Sequence, residues 1–300
     1  GLGFYVESSG GGPEEEARIT IHDDGAIDVV VGTFSHGQGH RTTYAQILSE
    51  TLDVDFDSIN IIQGDTDAVH FGGGTGGSRS SQMGGIAVQR AASGVLEDAK
   101  VIAAEMLQAP LPTVSYAQGI FSASTTDSQV SLPQVARAAK EAQFGGAGLT
   151  KLLRYNRGEG FTFPNGCHIT EVEVDAETGV VNVVAYTAVD DCGRVINPLL
   201  ATGQVHGGVV QGIGQALFEN VVYDDDGQLL SGSLMDYAMP RASQVGDIQV
   251  SFNEVLDPNN ELGVKGIGEG GACAAPSAVV NAVLDALAPL GVESLDMPLT

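Results

Sequence analysis

Residues 17–31, ARITIHDDGAIDVVV, alternate apolar and polar side chains on both sides of Asp24-Gly25. Alternation of period two reads as a strand buried on one face, and Asp-Gly between two such runs is a hairpin turn. The design returns at residues 169–186, ITEVEVDAETGVVNVVAY, around Glu177-Thr178-Gly179. After each hairpin we expect a loop of glycine, histidine and glutamine: SHGQGH at 35–40 and GQVHGGVVQG at 203–212. Each leads into a helix-like stretch, TTYAQILSETL and IGQALFENVV. Further on, GGGTGGSRSSQ at 72–82 precedes an Ala-rich run to Leu107, and GIGEGG precedes a helical pattern from Ala274 to Leu287. One ground plan used twice predicts an α+β fold of two similar subdomains, 1–150 and 151–300, each a hairpin, a glycine-rich loop and a helix. The join is expected in the Gly-rich polar stretch FGGAGLTKLLRYNRGEG at 144–160. Glycine loops of two such halves would line a shared cleft.

Composition narrows the function classes. Lys plus Arg number 13 against 38 Asp plus Glu, a net charge of −25, which argues against nucleic acid or an anionic membrane as a partner. No run of about 20 apolar residues and no charged-then-apolar leader is apparent, so neither a membrane span nor a signal peptide is expected. Cys167, Cys192 and Cys273 lie far apart without a C-x-x-C, which encodes neither a zinc ribbon nor an iron–sulfur cluster and suits thiols of the cytoplasm. The chain opens at GLGFYVESSGGG without an initiator methionine and stops at DMPLT, and we read it as a piece of something larger.

In VKGIGEGGACAAPSAVVNAVLDAL, 264–287, one carboxylate, Glu269, stands among Gly266, Gly268, Gly270 and Gly271 immediately before an apolar helix. Glycines there permit unusual backbone shapes and close approach of a ligand, with Glu269 pointing at it. The same letters satisfy G-x-G-x-x-G. A pyrophosphate at that helix N-terminus would meet the Glu269 carboxylate, however, and GVESLDMPLT is too polar for the next buried strand, so the dinucleotide reading fails. The remaining alternative is a loop with a solvated acid.

His36 and His40, four apart in HGQGH, imitate a zinc-binding helix. Gly37 and Gly39 each cost about 1 kcal/mol in a helix interior, and Gln38 is no general base, so the segment reads as a loop offering backbone N–H groups and one neutral amide. The plain alternative is a satisfied loop before a helix starting at Thr42 or Thr43. GTGGSRS, 74–80, combines glycine N–H groups, the Ser78 and Ser80 hydroxyls and the Arg79 guanidinium ahead of a long helix, which suits an anion. It lacks the lysine and spacing of a P-loop, and the plain alternative is a helix cap. VDDCGRVINP, 189–198, follows a predicted strand and ends at the turn former Asn197-Pro198. Cys192 there reads more readily as a small buried hydrophobe than as a nucleophile.

SHGQGHRTTYAQI, GDTDAVHFGGGTGGSRS, VDDCGRVINP, GQVHGGVVQGIGQALFE, DYAMPRA and VKGIGEGG, in this order and at this spacing, resemble the molybdenum-binding large subunit of the xanthine oxidase family, in particular its bacterial carbon monoxide and aldehyde dehydrogenase branch. The likeness covers nearly all of the chain and corresponds to the C-terminal half of that subunit, its second molybdopterin-binding domain. It implies a molybdenum hydroxylase that oxidises an electron-poor carbon of an aldehyde, an N-heterocycle or carbon monoxide, with water as oxygen source. Glu269 takes the place of the base beside molybdenum. Gly37, Gln38 and Gly39 resemble contacts to the pterin and its cytosine dinucleotide tail, and Gly77, Ser78, Arg79 and Ser80 match the second pterin-dinucleotide loop. Gln211 matches a glutamine near the dithiolene, Cys192 and Asn197 fall toward the nucleotide end, and Lys265, in the Glu269 block, is expected among the cofactor-binding residues. The pterin's sulfurs hold the metal, so no protein ligand is implied. Implied partners are the rest of the molybdenum subunit and iron–sulfur and FAD subunits. The rival reading is a fragment or split subunit without catalysis of its own until a partner chain completes the site.

Overall fold

The computed structural model describes residues 1–158 and 160–299. In chain order the strands and helices are β1 (Leu2–Val6), β2 (Glu14–Ile21), β3 (Ile27–Val31), α1 (His40–Leu52), β4 (Ile59–Ile62), α2 (Ile86–Met106), β5 (Val114–Ala117), β6 (Ile120–Ala123), β7 (Gln129–Ser131) and α3 (Leu132–Ala138). They continue with β8 (Leu149–Asn156), β9 (Asn165–Val174), β10 (Val181–Asp191), α4 (Pro198–Leu217), β11 (Asp247–Phe252) and α5 (Gly270–Leu287). The fold is α+β.

The alternating stretches form the two expected hairpins. Ala17 pairs with Val31 and Ile21 with Ile27, while Val174 pairs with Val181 and Asn165 with Asp191. Each hairpin is followed by a helix and a strand parallel to its second arm, β4 beside β3 and β11 beside β10. The two sheets then have matching orders, β8-β2-β3-β4 and β1-β9-β10-β11. The halves are not contiguous, because each leading strand is exchanged. β1 pairs with β9 and β8 with β2. One compact unit therefore comprises Gly10–Gly160 with Asn260–Leu262, and the other takes Gly1–Ser9, Phe161–Asn259 and the segment from Gly263 onward. The crossing falls at the end of the stretch 144–160 rather than at 150, since β8 runs to Asn156 against Glu14 of β2.

In the first unit the inner face of β2 presents Ala17, Ile19 and Ile21 to the buried Ala87, Ala91, Ala92, Val95 and Ala99 of α2. Alanines let that helix lie close to the sheet. In the second unit α4 and α5 pack together, and the core joins Tyr186 and Ala188 of β10 to Val205, Val209 and Ile213 of α4 and Ala275, Ala278 and Val279 of α5.

The expected loop 203–212 is a correction: it lies in the middle of α4. A Cβ on Gly212 would come within 2.5 Å of Ala275 Cβ, and one on Gly208 within 2.9 Å of the Gly271 Cα. These glycines let two helices approach closely, which offsets their intrinsic cost of about 1 kcal/mol each. The predicted IGQALFENVV helix accordingly starts 15 residues earlier, at Pro198, and ends at Leu217. α5 with its following turn, Gly270–Leu290, is long and apolar enough to cross a membrane, which differs from the expectation of no such run. In this fold one face of it packs inward, with Ala274, Ala275, Ala278, Val279, Ala282 and Val283 buried, and the opposite face is open. The sheet it covers is apolar on its other face too, where Phe4 is 71 % exposed and Leu2, Val6, Ile169 and Val189 are also open.

Candidate functional site

In the first unit two glycine-bearing loops touch. A Cβ on Gly72 would sit 2.3 Å from the Gly32 Cα, so the backbones leave no room for side chains. Thr75 Oγ1 donates to the Phe34 carbonyl at 2.7 Å, accepts from the Phe34 N–H at 3.2 Å and meets Ser80 Oγ at 3.0 Å. SHGQGH is a loop as expected, and α1 begins at His40, two or three residues ahead of the threonines. Gly37 and Gly39 have φ of 107° and 83°, the left-handed region that glycine enters without penalty. Gln38 closes the loop on itself, with Oε1 accepting from the His36 N–H and Nε2 donating to the Phe34 carbonyl at 3.3 Å. His40 is buried, its Nδ1 3.3 Å from Gln63 Nε2, and burial lowers its pKa to about 4.

Arg79 departs from the expectation of a guanidinium turned toward an anion. It is 2 % exposed and pairs with the fully buried Glu15, Nη1 to Oε2 at 2.7 Å. It also donates to the carbonyls of Gly74 at 2.9 Å and Glu14 at 2.7 Å. Burial raises the Glu15 carboxyl, with the Arg79 charge working against it. The residue is an internal peg around which 72–80 wraps, and the loop's outer surface is left to glycines. Gly77 and Ser78 are left-handed, at φ 67° and 51°. Gly76 has no positive φ, and a Cβ there would meet nothing within 4 Å, so the fold itself does not require glycine at this position. Ser80 opens a π-helical turn, Ser80–Gly85, that runs into α2, and its carbonyl accepts from Tyr44 at 3.0 Å.

In the second unit Asn197 caps α4, its Oδ1 accepting from the Leu200 N–H at 3.0 Å. Gly203, Gly207 and Gln211 recur every four residues on the exposed side of that helix, and neither glycine has a neighbour within 4 Å of its Cβ position. Cys192 is buried, and its thiol is pushed up to about 12 by burial and then by the Asp191 and Asp190 charges, which makes it a poor nucleophile. Lys265 is engaged within the protein, Nζ to Asp191 Oδ2 at 2.5 Å. Burial alone would raise the Asp191 carboxyl. Lys265 and the N–H groups of Gly193 and Val255 more than offset this and hold it low.

Glu269 is the exposed residue at which α5 begins, with φ −119° and ψ −10° and no cap made by its side chain. Acidic side chains at this position ordinarily bond the first helical N–H groups, and this one does not. The flanking glycines serve packing more than left-handed backbone. A Cβ on Gly270 would lie 2.3 Å from the Tyr5 hydroxyl, and one on Gly271 2.6 Å from the Val205 carbonyl oxygen. Among the described residues no group of three or more His, Cys, Asp and Glu stands together as a metal-ligand set.

The structure adds Glu15 and Thr75 to the first unit's loops and Asp191 to the Glu269 loop. Asp191 was visible as one of two acids ending a predicted strand. Glu15, within the acidic run EEE, carried no local signal of its distant partner.

Comparison with known proteins places the chain. The family described as molybdopterin cofactor-binding domain matches residues 1–246. Subunit gamma of the 6-hydroxypseudooxynicotine dehydrogenase complex of Paenarthrobacter nicotinovorans is 35 % identical over 305 residues, covering 100 % of this chain and 38 % of that protein. The carbon monoxide dehydrogenase large chain of Hydrogenophaga pseudoflava is 33 % identical over 314 residues, 100 % of this chain and 39 % of that one. Quinoline 2-oxidoreductase from Pseudomonas putida 86 superposes with a TM-score of 0.90 at 35 % identity, over 100 % of this chain and 40 % of that one. The chain thus spans about two fifths of the length of these relatives, and it belongs to the molybdopterin-binding large subunits of the xanthine oxidase family, as the C-terminal part of such a subunit.

Proposed function

We propose that this chain is the base-bearing and dinucleotide-gripping part of a molybdenum hydroxylase, with Glu269 as the catalytic base and an aldehyde, N-heterocycle or carbon monoxide as substrate class. The observation that carries the reading is Glu269 itself, an exposed carboxylate placed at the N-terminus of α5 between glycines, whose side chain is not used as that helix's cap. Bare backbone within each unit supports reading these residues as contacts to a pterin dinucleotide. Gly76, Gly203 and Gly207 are neither left-handed nor crowded by the protein, which leaves bare backbone for a flat polar group to approach, and Gln211 continues the stripe of Gly203 and Gly207 as a neutral amide. Gly37, Gln38, Gly39, Gly77, Ser78 and Ser80 would hold the pterin and its cytosine dinucleotide tail, with Arg79 shaping the loop from inside. Cys192, Asn197 and Lys265 act on the site only through the backbone they brace.

Molybdenum bound by the pterin would supply the two-electron redox chemistry, with water as oxygen source and iron–sulfur and FAD subunits as the exit for electrons. Glu269 would accept the proton released as the new carbon–oxygen bond forms. The rest of the subunit is expected to cover surface that this chain leaves open, including the apolar outer face of β1 and β9. We assign the assembled enzyme to the cytoplasm.

The test is Glu269→Gln in the complete subunit. A positioned general base contributes about 10² to 10⁴-fold, so kcat and kcat/KM should fall together by at least that factor with molybdenum content unchanged. Near-normal reduction by substrate at full metal content would return Glu269 to a solvated loop.

A further inference from the structure

We propose that Tyr5, Asp190, His168 and Tyr186 form a positioning network that sets where α5 begins and thereby holds the Glu269 carboxylate in place; the proposal rests on reading Glu269 as the base. The four side chains connect β1, β9 and β10 beneath the Glu269 loop. Tyr5 donates to Asp190 Oδ1 at 2.9 Å, His168 Nε2 lies 3.2 Å from the same oxygen, and His168 Nδ1 lies 2.7 Å from the Tyr186 hydroxyl. His168 and Asp190 are fully buried, and the imidazole stacks edge-on against both tyrosine rings, at 5.9 and 5.5 Å.

Tyr5 and His168 Nε2 thus converge on one oxygen of Asp190, and the Tyr186 hydroxyl, which can donate or accept, meets the other ring nitrogen. Bonds to a buried carboxylate are the strong kind and fix their donors in one geometry.

The far end of the network meets the site. The Tyr5 hydroxyl lies against Gly270, where even a methyl group would come within 2.3 Å of it, and Gly270 follows Glu269 directly. Position 166 is equally closed, since a Cβ there would come within 2.1 Å of Asp190 Oδ1. Asp191, the next residue, holds Lys265 on the other side of Glu269. Two consecutive acids at the end of β10 therefore brace both ends of the segment 265–270, one through a lysine and the other through a tyrosine. A core polar chain of this size has no need to abut a glycine at a helix start if its role is only to fill the sheet.

The experiment uses the complete subunit in its assembled enzyme. Tyr5→Phe removes one oxygen and keeps the ring while His168 still reaches Asp190, and Asp190→Asn is the companion variant. The bond removed is charge-assisted, so amide hydrogen exchange in 270–275 should accelerate about tenfold or more in Tyr5→Phe, with 247–252 on β11 unchanged. At unchanged molybdenum content kcat should fall about tenfold with KM held within twofold, because a misplaced base loses the chemical step and not substrate affinity. Exchange and kcat both equal to the unmodified enzyme would overturn the proposal. Glu269→Gln measured in parallel separates the two readings: if it turns over normally the base assignment fails, while faster exchange in Tyr5→Phe still establishes the brace.

Discussion

Replacing Glu15 with Gln preserves size and strands a guanidinium at a position 2 % exposed. At the observed 2.7 Å the gross attraction is about 6 kcal/mol with an effective dielectric of 20. Breaking a buried pair from one side costs about 3 to 5 kcal/mol. The Gly74 and Glu14 carbonyls still accept from Arg79 in the variant, which points to the lower end, about 3 kcal/mol. Glu15→Gln combined with Arg79→Met removes both charges and should recover part of that loss, since buried pairs replaced by apolar groups of similar volume are often neutral. Urea unfolding followed by circular dichroism measures the cost, and cofactor content of the assembled enzyme gives the functional consequence. The sign of the second readout discriminates between two roles for Arg79. As an internal peg it loses its anchor in Glu15→Gln, and cofactor retention falls. As a phosphate fork it would be released from a competing carboxylate, and retention would rise. A stability cost below about 1 kcal/mol, or tighter cofactor retention, would refute the reasoning.

Two more outcomes follow from the packing and the titration of single residues. Gly212→Val places a side chain where a Cβ already comes within 2.5 Å of Ala275, so α4 and α5 must separate, at a cost of about 1 to 3 kcal/mol or more in urea unfolding. His40 titrates near 6.5 when unfolded and near 4 when folded, so the unfolded chain binds the extra proton between those values. Stability should decline by about 2.5 kcal/mol as pH falls from 6.5 to 4, and His40→Gln should lose that slope in thermal melts across the same range.

Local pattern was enough for the repeated hairpins, because alternation of period two and a glycine turn act within a dozen residues. The glycine loop before α2, the exposed acid before α5 and the two-fold ground plan were also legible, as were the blocks that mark the family. Three features depended on residues far apart. Gly208 and Gly212 read locally as loop formers, and only the face of α5 opposite them makes them helix-contact residues. Arg79 reads locally as an anion donor, and only Glu15, 64 positions away on β2, turns it inward. The exchange of β1 and β8 between the two sheets has no signature in either strand, since an alternating segment is compatible with any complementary edge. Side-chain period and turn chemistry are properties of short segments, whereas burial, ion pairing and strand partnership are settled by which distant surfaces exclude water together.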